Sequence, residues 1–488
     1  MRFRLLIIGL AIVAIVSLLY YVQYYAQSPR THIIIRTESG FKPRDITVRQ
    51  GDTVQFIAEH GATYWPASDA HPSHAFYRDF DPRRALLPEE TWSFVMDRPG
   101  LWPYHDHLHP GLRGTITVAG RMPSLEECIS FYGTSTSQSF CWGQTLMQVV
   151  RDKGVEAAFA AIEPMRSSPQ FEQQCHDVMH IFGQAAYADF AKDPARVQAH
   201  PLTAACGYGF YHGFIETMLV DTGRGDSHMA REYCENLMHA SSLGSESARK
   251  RALDACYHGV GHAFFDTVDS SLWGDPRRML DSVTRQCEAL IMDPVKQEIC
   301  MSGVYNSLAN ALANKDYFLA FDAGSDRICA EELFAYQNRC YIEVSTGLVR
   351  NLKFGFEASV AHIRSLPAHG RWLALRAFID GELRHRTVGL TPAKATALCA
   401  YFTDDDERLD CLSGALRAFF YMSPSGGGDD LAQELFAVCA GEGVPGLRAD
   451  CARKARAHLS AQMTHERSLA LCEASFPTSD CTGPAGEM

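Results

Sequence analysis

The sequence predicts a multidomain protein: an N-terminal transmembrane helix, an all-β sandwich, and then an all-α helical repeat domain that disulfides staple into a solenoid-like stack. Three observations carry this expectation. An unbroken apolar run opens the chain, a two-residue hydrophobic period fills residues 31–120, and all sixteen cysteines lie between Cys128 and Cys481 in a helix-forming remainder. A chain of 488 residues is also too long for one ordinary core. Its formal net charge of −12 would repel a phosphate backbone, and no basic cluster offsets it, so nucleic acid is not an expected partner.

The first element follows a basic start at Arg2 and Arg4. From Leu5 to Val22 the chain carries no charge, and as a helix this run would span about 27 Å, enough to cross a bilayer. The basic flank favours a cytoplasmic N-terminus, and Tyr20, Tyr21, Tyr24 and Tyr25 suit the far interface. Residues 1–30 therefore read as a signal anchor, with a cleaved signal peptide as the alternative. The remainder is expected to be membrane-anchored and extracytoplasmic, on the periplasmic or cell-surface side. Sixteen cysteines suit that oxidising side.

The second element, residues 31–120, reads as short strands: HIIIRT, GFKPRDITV, GDTVQFIAE, TWSFVMD, GLWPYHD and GTITVAG. Val54, Phe56 and Ala58 share one face of a strand, as do Trp92, Phe94 and Met96. Gly51-Asp52 and Pro99-Gly100 supply turns.

Within this region "GFKPRDITVRQGDTVQF" followed by "DRPGLWPYHDHLHPGLRGTITV" resembles the cupredoxins, the plastocyanin and amicyanin type of copper domain. The resemblance implies a copper site built from a cysteine, a histidine three residues on and a methionine three further. Those positions hold Asp106, His109 and Leu112, and the family's upstream histidine falls near Tyr64. Without the thiolate, a blue electron-transfer site is not expected.

Other ligands crowd the same segments. His71 and His74 stand in "DAHPSH", and His105 and His107 are two apart at a strand end, where they would share a face. These four are the expected ligand set, with Asp106 and His109 as further candidates. Imidazole with carboxylate favours Cu(II), with Zn(II) next. A lone histidine at a strand end is usually a hydrogen-bonded surface residue, but five from two segments at one end are less easily accidental.

The third element, residues 124–488, opens with a capping box at Ser124 and Glu127 and continues with helical spacing such as Val155, Ala158, Phe159 and Ile162. The cysteines repeat as helix end, polar loop, helix start. The spacing predicts the corner bridges Cys128–Cys141, Cys234–Cys256, Cys287–Cys300, Cys329–Cys340, Cys399–Cys411, Cys439–Cys451 and Cys472–Cys481, which leaves Cys175–Cys206. A stack of this kind offers a surface for a protein partner. His176, His180, His212, His258 and His262 form a second candidate cluster, two pairs of which are four apart on one helix face. Asn306, Thr346 and Arg417 fill the same column in later repeats, so inner-face polar positions are the plainer reading.

No haem-attachment motif, phosphate-cradling loop or nucleophile beside a base is present, so catalysis has no positive signal. The leading expectation is a membrane-anchored metal-binding protein with copper as the cofactor. A metal-free interaction scaffold and a redox or electron-transfer protein are the rival readings.

Overall fold

The computed structural model describes residues 28–482, with breaks at 60, 70–76, 78, 132–134, 173, 198, 205, 223–226, 322–326, 331, 333, 352–355, 368–369, 372, 376–377, 379–390, 423–428 and 460–462. Two compact units divide the chain, residues 1–223 and 224–488.

Among the described residues the first unit contains eight strands: β1 Thr31–Thr37, β2 Gly40–Lys42, β3 Asp45–Arg49, β4 Thr53–Ala58, β5 Pro66–Ser68, β6 Trp92–Val95, β7 Gly100–Asp106 and β8 His109–Ala119. They form two four-stranded sheets, ordered β2-β1-β4-β6 and β3-β8-β7-β5. Each sheet is mixed, because β1 runs parallel to β4 and β3 parallel to β8 while their other neighbours are antiparallel. The sequence alternation sets which faces are buried. Val54 and Phe56 on β4, Trp102 and Tyr104 on β7, and Ile116 and Val118 on β8 all point into one core. Gly114 lies opposite Tyr104, where a Cβ would strike the Tyr104 ring and the Arg44 carbonyl.

Helices of the same unit complete that core. They are α1 Leu125–Phe131, α2 Ser135–Lys153, α3 Val155–Ile162, α4 Pro169–Glu172, α5 Cys175–Phe190 and α6 Gly209–Thr222. Met147 of α2 and Ile181 of α5 join the cluster that holds Trp102 and Phe56. Gln144 of α2 accepts the Leu101 backbone N–H at 2.7 Å. The Ser124–Glu127 box forms, with Glu127 N donating to Ser124 Oγ at 3.2 Å and Ser124 N to Glu127 Oε2 at 2.8 Å.

The expected three-part architecture is thereby corrected. Helix predominates, the two sheets are small and mixed, and a free-standing all-β cupredoxin-like sandwich is not what residues 31–120 form. The physical reason is that part of the sheets' apolar surface is buried against α2 and α5, so strands and helices share one core. Among the described residues no helix is long and apolar enough to cross a membrane, and the run Leu5–Val22 lies outside them.

The second unit holds α7 Ser227–Asn236, α8 Glu246–Asp266, α9 Pro276–Leu290, α10 Pro294–Asn314, α11 Arg327–Ala330, α12 Phe334–Asn351, α13 Phe356–Ser365, α14 Pro392–Cys399, α15 Asp405–Met422, α16 Asp429–Ala440, α17 Pro445–Leu459, α18 His465–Glu473 and α19 Thr478–Cys481. Aspartate followed by proline starts α9 and α10: Asp275 accepts from Arg278 N, and Asp293 from Val295 N. Here the disulfide-stapled helical expectation fits. Six of the eight expected bridges lie here, Cys128–Cys141 and Cys175–Cys206 belong to the first unit, and all eight are formed with no cysteine free. The half-cystines from Cys399 to Cys481 lie inside the terminal apolar core beside Leu412, Leu435 and Ala452.

Candidate metal centre

Of the expected sandwich ligands, His71 and His74 lie outside the described residues. His105 is fully buried on β7 and opposite Arg113 on β8. Both turn to the same carboxylate: Asp69 meets His105 Nδ1 at 2.6 Å and Arg113 Nη2 at 3.2 Å. A carboxylate on Nδ1 fixes the ring and favours Nε2 as the donor towards any ion. His107 stands just beyond the end of its strand. The ladder is irregular after His105, β7 ends at Asp106, and the His107 ring rests against Trp65 at 4.5 Å, with its centroid 5.9 Å from that of His105.

Asp106 is buried and does a structural task. It accepts from Arg36 Nε at 3.0 Å, Trp65 N at 3.0 Å and Leu108 N at 3.2 Å. His109 is exposed at this corner, with Nδ1 3.0 Å from Asp106 and 3.2 Å from Arg36. These contacts pin the chain reversal between β7 and β8, and they occupy Asp106 with donors rather than leaving it for a metal.

The helical histidines of the first unit converge because α5 and α6 cross at backbone contact. A Cβ on Gly183 would strike the Phe210 carbonyl, one on Gly209 the His176 carbonyl, and one on Gly213 the His180 carbonyl. That approach brings His176 and His180 of α5 against His212 of α6, with ring centroids 5.1 and 6.3 Å from His212. His176 Nδ1 lies 3.1 Å from the Cys206 carbonyl, which can only accept, so Nδ1 carries the proton and Nε2 the lone pair. Glu216, one turn beyond His212 on α6, is almost wholly buried and stands 3.4 Å from His180 Nε2.

Burial governs the charge of this group. It pushes Glu216 up to about 8, with Arg113 pulling the other way and Asp69 adding to the rise. Burial also pushes the His180 imidazole well below its ordinary value, to about 3; His176 adds to that and Asp69 opposes it. Asp69 on the sheet side thus acts on both Glu216 and His180 on the helix side, and Arg113 on Glu216, which makes one buried polar layer within the first unit. Burial thus favours the uncharged form of both partners, the neutral imidazole of His180 and the protonated carboxyl of Glu216. Neutral imidazole is the ligating form, and the carboxyl must shed its proton to join.

His258 and His262 lie on α8 in the second unit, with ring centroids 4.8 Å apart. The five helical histidines therefore divide three and two between the units. Asp69, Arg113 and Glu216 were not singled out from sequence. For Glu216 a signal existed, since His212 and Glu216 are four apart and share a helix face; for Asp69 there was only its place two residues before His71.

No family model and no curated protein matches the chain.

Proposed function

We propose that the protein binds a transition-metal ion, Cu(II) or Zn(II), through imidazole nitrogens in an oxidising compartment outside the cytoplasm. The observation that supports this reading is His180 Nε2 standing 3.4 Å from buried Glu216, with the His212 ring packed beside those of His176 and His180 at the glycine contacts of α5 and α6. Two or three histidines with one carboxylate is a donor set suited to these borderline ions. Eight disulfides favour the oxidising compartment. His105, oriented by Asp69, stands in the same buried layer. The helical second unit would then serve as the surface for a protein partner. The test is metal content and Cu(II) titration of the full chain beside the triple variant His176→Gln/His180→Gln/His212→Gln. Loss of a bound ion in the variant supports the reading. A native protein that holds no copper or zinc after reconstitution sinks it and favours a metal-free scaffold.

A further inference from the structure

In the second unit α8 and α10 also cross at backbone contact. A Cβ on Gly261 would strike the Cys300 carbonyl, and one on Gly303 the His258 carbonyl. Only at that separation do short serine side chains on α10 reach the imidazoles of α8. His258 Nδ1 lies 2.7 Å from Ser302 Oγ, and His262 Nδ1 lies 2.8 Å from Ser307 Oγ. The two Nε2 atoms then face each other at 3.1 Å.

The proton inventory of this group is restrictive. Ser302 Oγ donates its one hydrogen to the Ile299 carbonyl at 2.7 Å, so towards His258 it can only accept. His258 Nδ1 therefore carries the proton, and its Nε2 presents a lone pair to His262. Two lone pairs at 3.1 Å repel, so something positive belongs between them: the Nε2 proton of His262, or a cation. When His262 holds that proton, its Nδ1 accepts from the Ser307 hydroxyl. When the proton sits on Nδ1 instead and is donated to Ser307, both Nε2 lone pairs point at one place.

We infer that His258 and His262 chelate one borderline divalent cation through their Nε2 atoms, with Ser302 and Ser307 holding the two rings in the ligating tautomer. The spacing of four on one helix puts both rings on the same face, and 3.1 Å is a separation that two nitrogens about 2.0–2.1 Å from a Zn(II) ion can span. Hydroxyl partners on Nδ1 are the outer-shell arrangement that sets ring orientation and ligand basicity. The inference goes beyond the site on α5 and α6 and uses different residues.

The experiment is Zn(II) competition against a chromophoric chelator, with the full chain, its disulfides verified by non-reducing peptide mapping. His258→Gln and His262→Gln should each weaken Zn(II) binding at one equivalent by about 100-fold or more, and Ser302→Ala by about 10-fold, with Ser302→Thr restoring it. Wild-type stoichiometry and affinity in both histidine variants would overturn the site. Because a variant could fail to fold, the unaltered chain supplies a second readout: Zn(II) should slow C2-hydrogen exchange of the peptide that carries both histidines. An unchanged exchange rate at saturating Zn(II) also overturns it, and leaves a shared-proton pair as the role of these residues.

Discussion

Asp69 joins His105 and Arg113 through opposite oxygens, 2.6 Å to the imidazole and 3.2 Å to the guanidinium, with all three side chains largely out of water. The two partners sit on adjacent strands in register, so the carboxylate braces the β7–β8 ladder from outside it. Removing one member of a buried pair leaves its partner charged and desolvated, which costs about 3–5 kcal/mol. Asp69→Ala should lower the stability of the full chain by that order in urea unfolding. A loss below about 1 kcal/mol would show that solvent reaches Arg113 and that the pair is not the brace described.

Acid should attack a different carboxylate. Asp52 accepts from Arg30 N at 2.9 Å and Arg49 N at 3.0 Å, and lies 2.9 Å from His32 Nε2. Burial alone would raise its pKa, but these hydrogen bonds outweigh that and hold it at about 2, below its ordinary 3.8. A folded-state pKa below the unfolded one contributes stability that is whole above about pH 4 and fades as pH falls through about 2. The contribution is on the order of 2 kcal/mol. Unfolding followed from pH 5 to pH 2 should therefore lose less stability in Asp52→Asn than in the wild type, and parallel profiles would refute the assignment.

How much of this was legible in the sequence varies with the physics involved. Seven bridges were readable because cysteine spacing within a helix–loop–helix turn leaves one near neighbour, and the eighth, Cys175–Cys206, followed as the remaining pair; all eight formed. The strands were readable from alternation at Val54 and Phe56. Their dependence on helices was not, because nothing in the local pattern of Met147 or Ile181 says whether the core it fills belongs to helix or sheet. Glycine contacts decided which histidines meet, and nothing local to Gly303 says which helix it will approach.

The bridges should differ in what they support. Cys287 and Cys300 are both fully buried and join the end of α9 to α10 across the corner that precedes Ser302. Replacing both by Ala removes a short loop constraint worth about 3 kcal/mol in the chain-entropy model. The variant should melt at a lower temperature, and its Ser302–His258 contact should loosen with it. Mapping of the wild type should return eight sequential bridges, and any bridge between distant repeats would contradict the pairing.

Gly303 tests whether helix contact, rather than the histidines alone, builds the α8 pair. An alanine inside a helix ordinarily stabilises by up to about 1 kcal/mol relative to glycine. At Gly303 the added methyl would meet the His258 carbonyl of the neighbouring helix, a backbone atom that cannot turn aside, so α8 and α10 must separate. Overpacking of this kind costs about 1–3 kcal/mol, so Gly303→Ala should destabilise despite its better propensity. Separation also draws Ser302 Oγ away from His258 Nδ1, now 2.7 Å apart, and so should weaken Zn(II) binding together with stability. Gly446 in α17 is the matched control, because a Cβ there meets nothing within 4 Å. Gly446→Ala should leave the melting temperature unchanged or raise it, with Zn(II) binding intact. If both alanine variants behave alike, close approach of the two helices is not what sets the imidazole geometry.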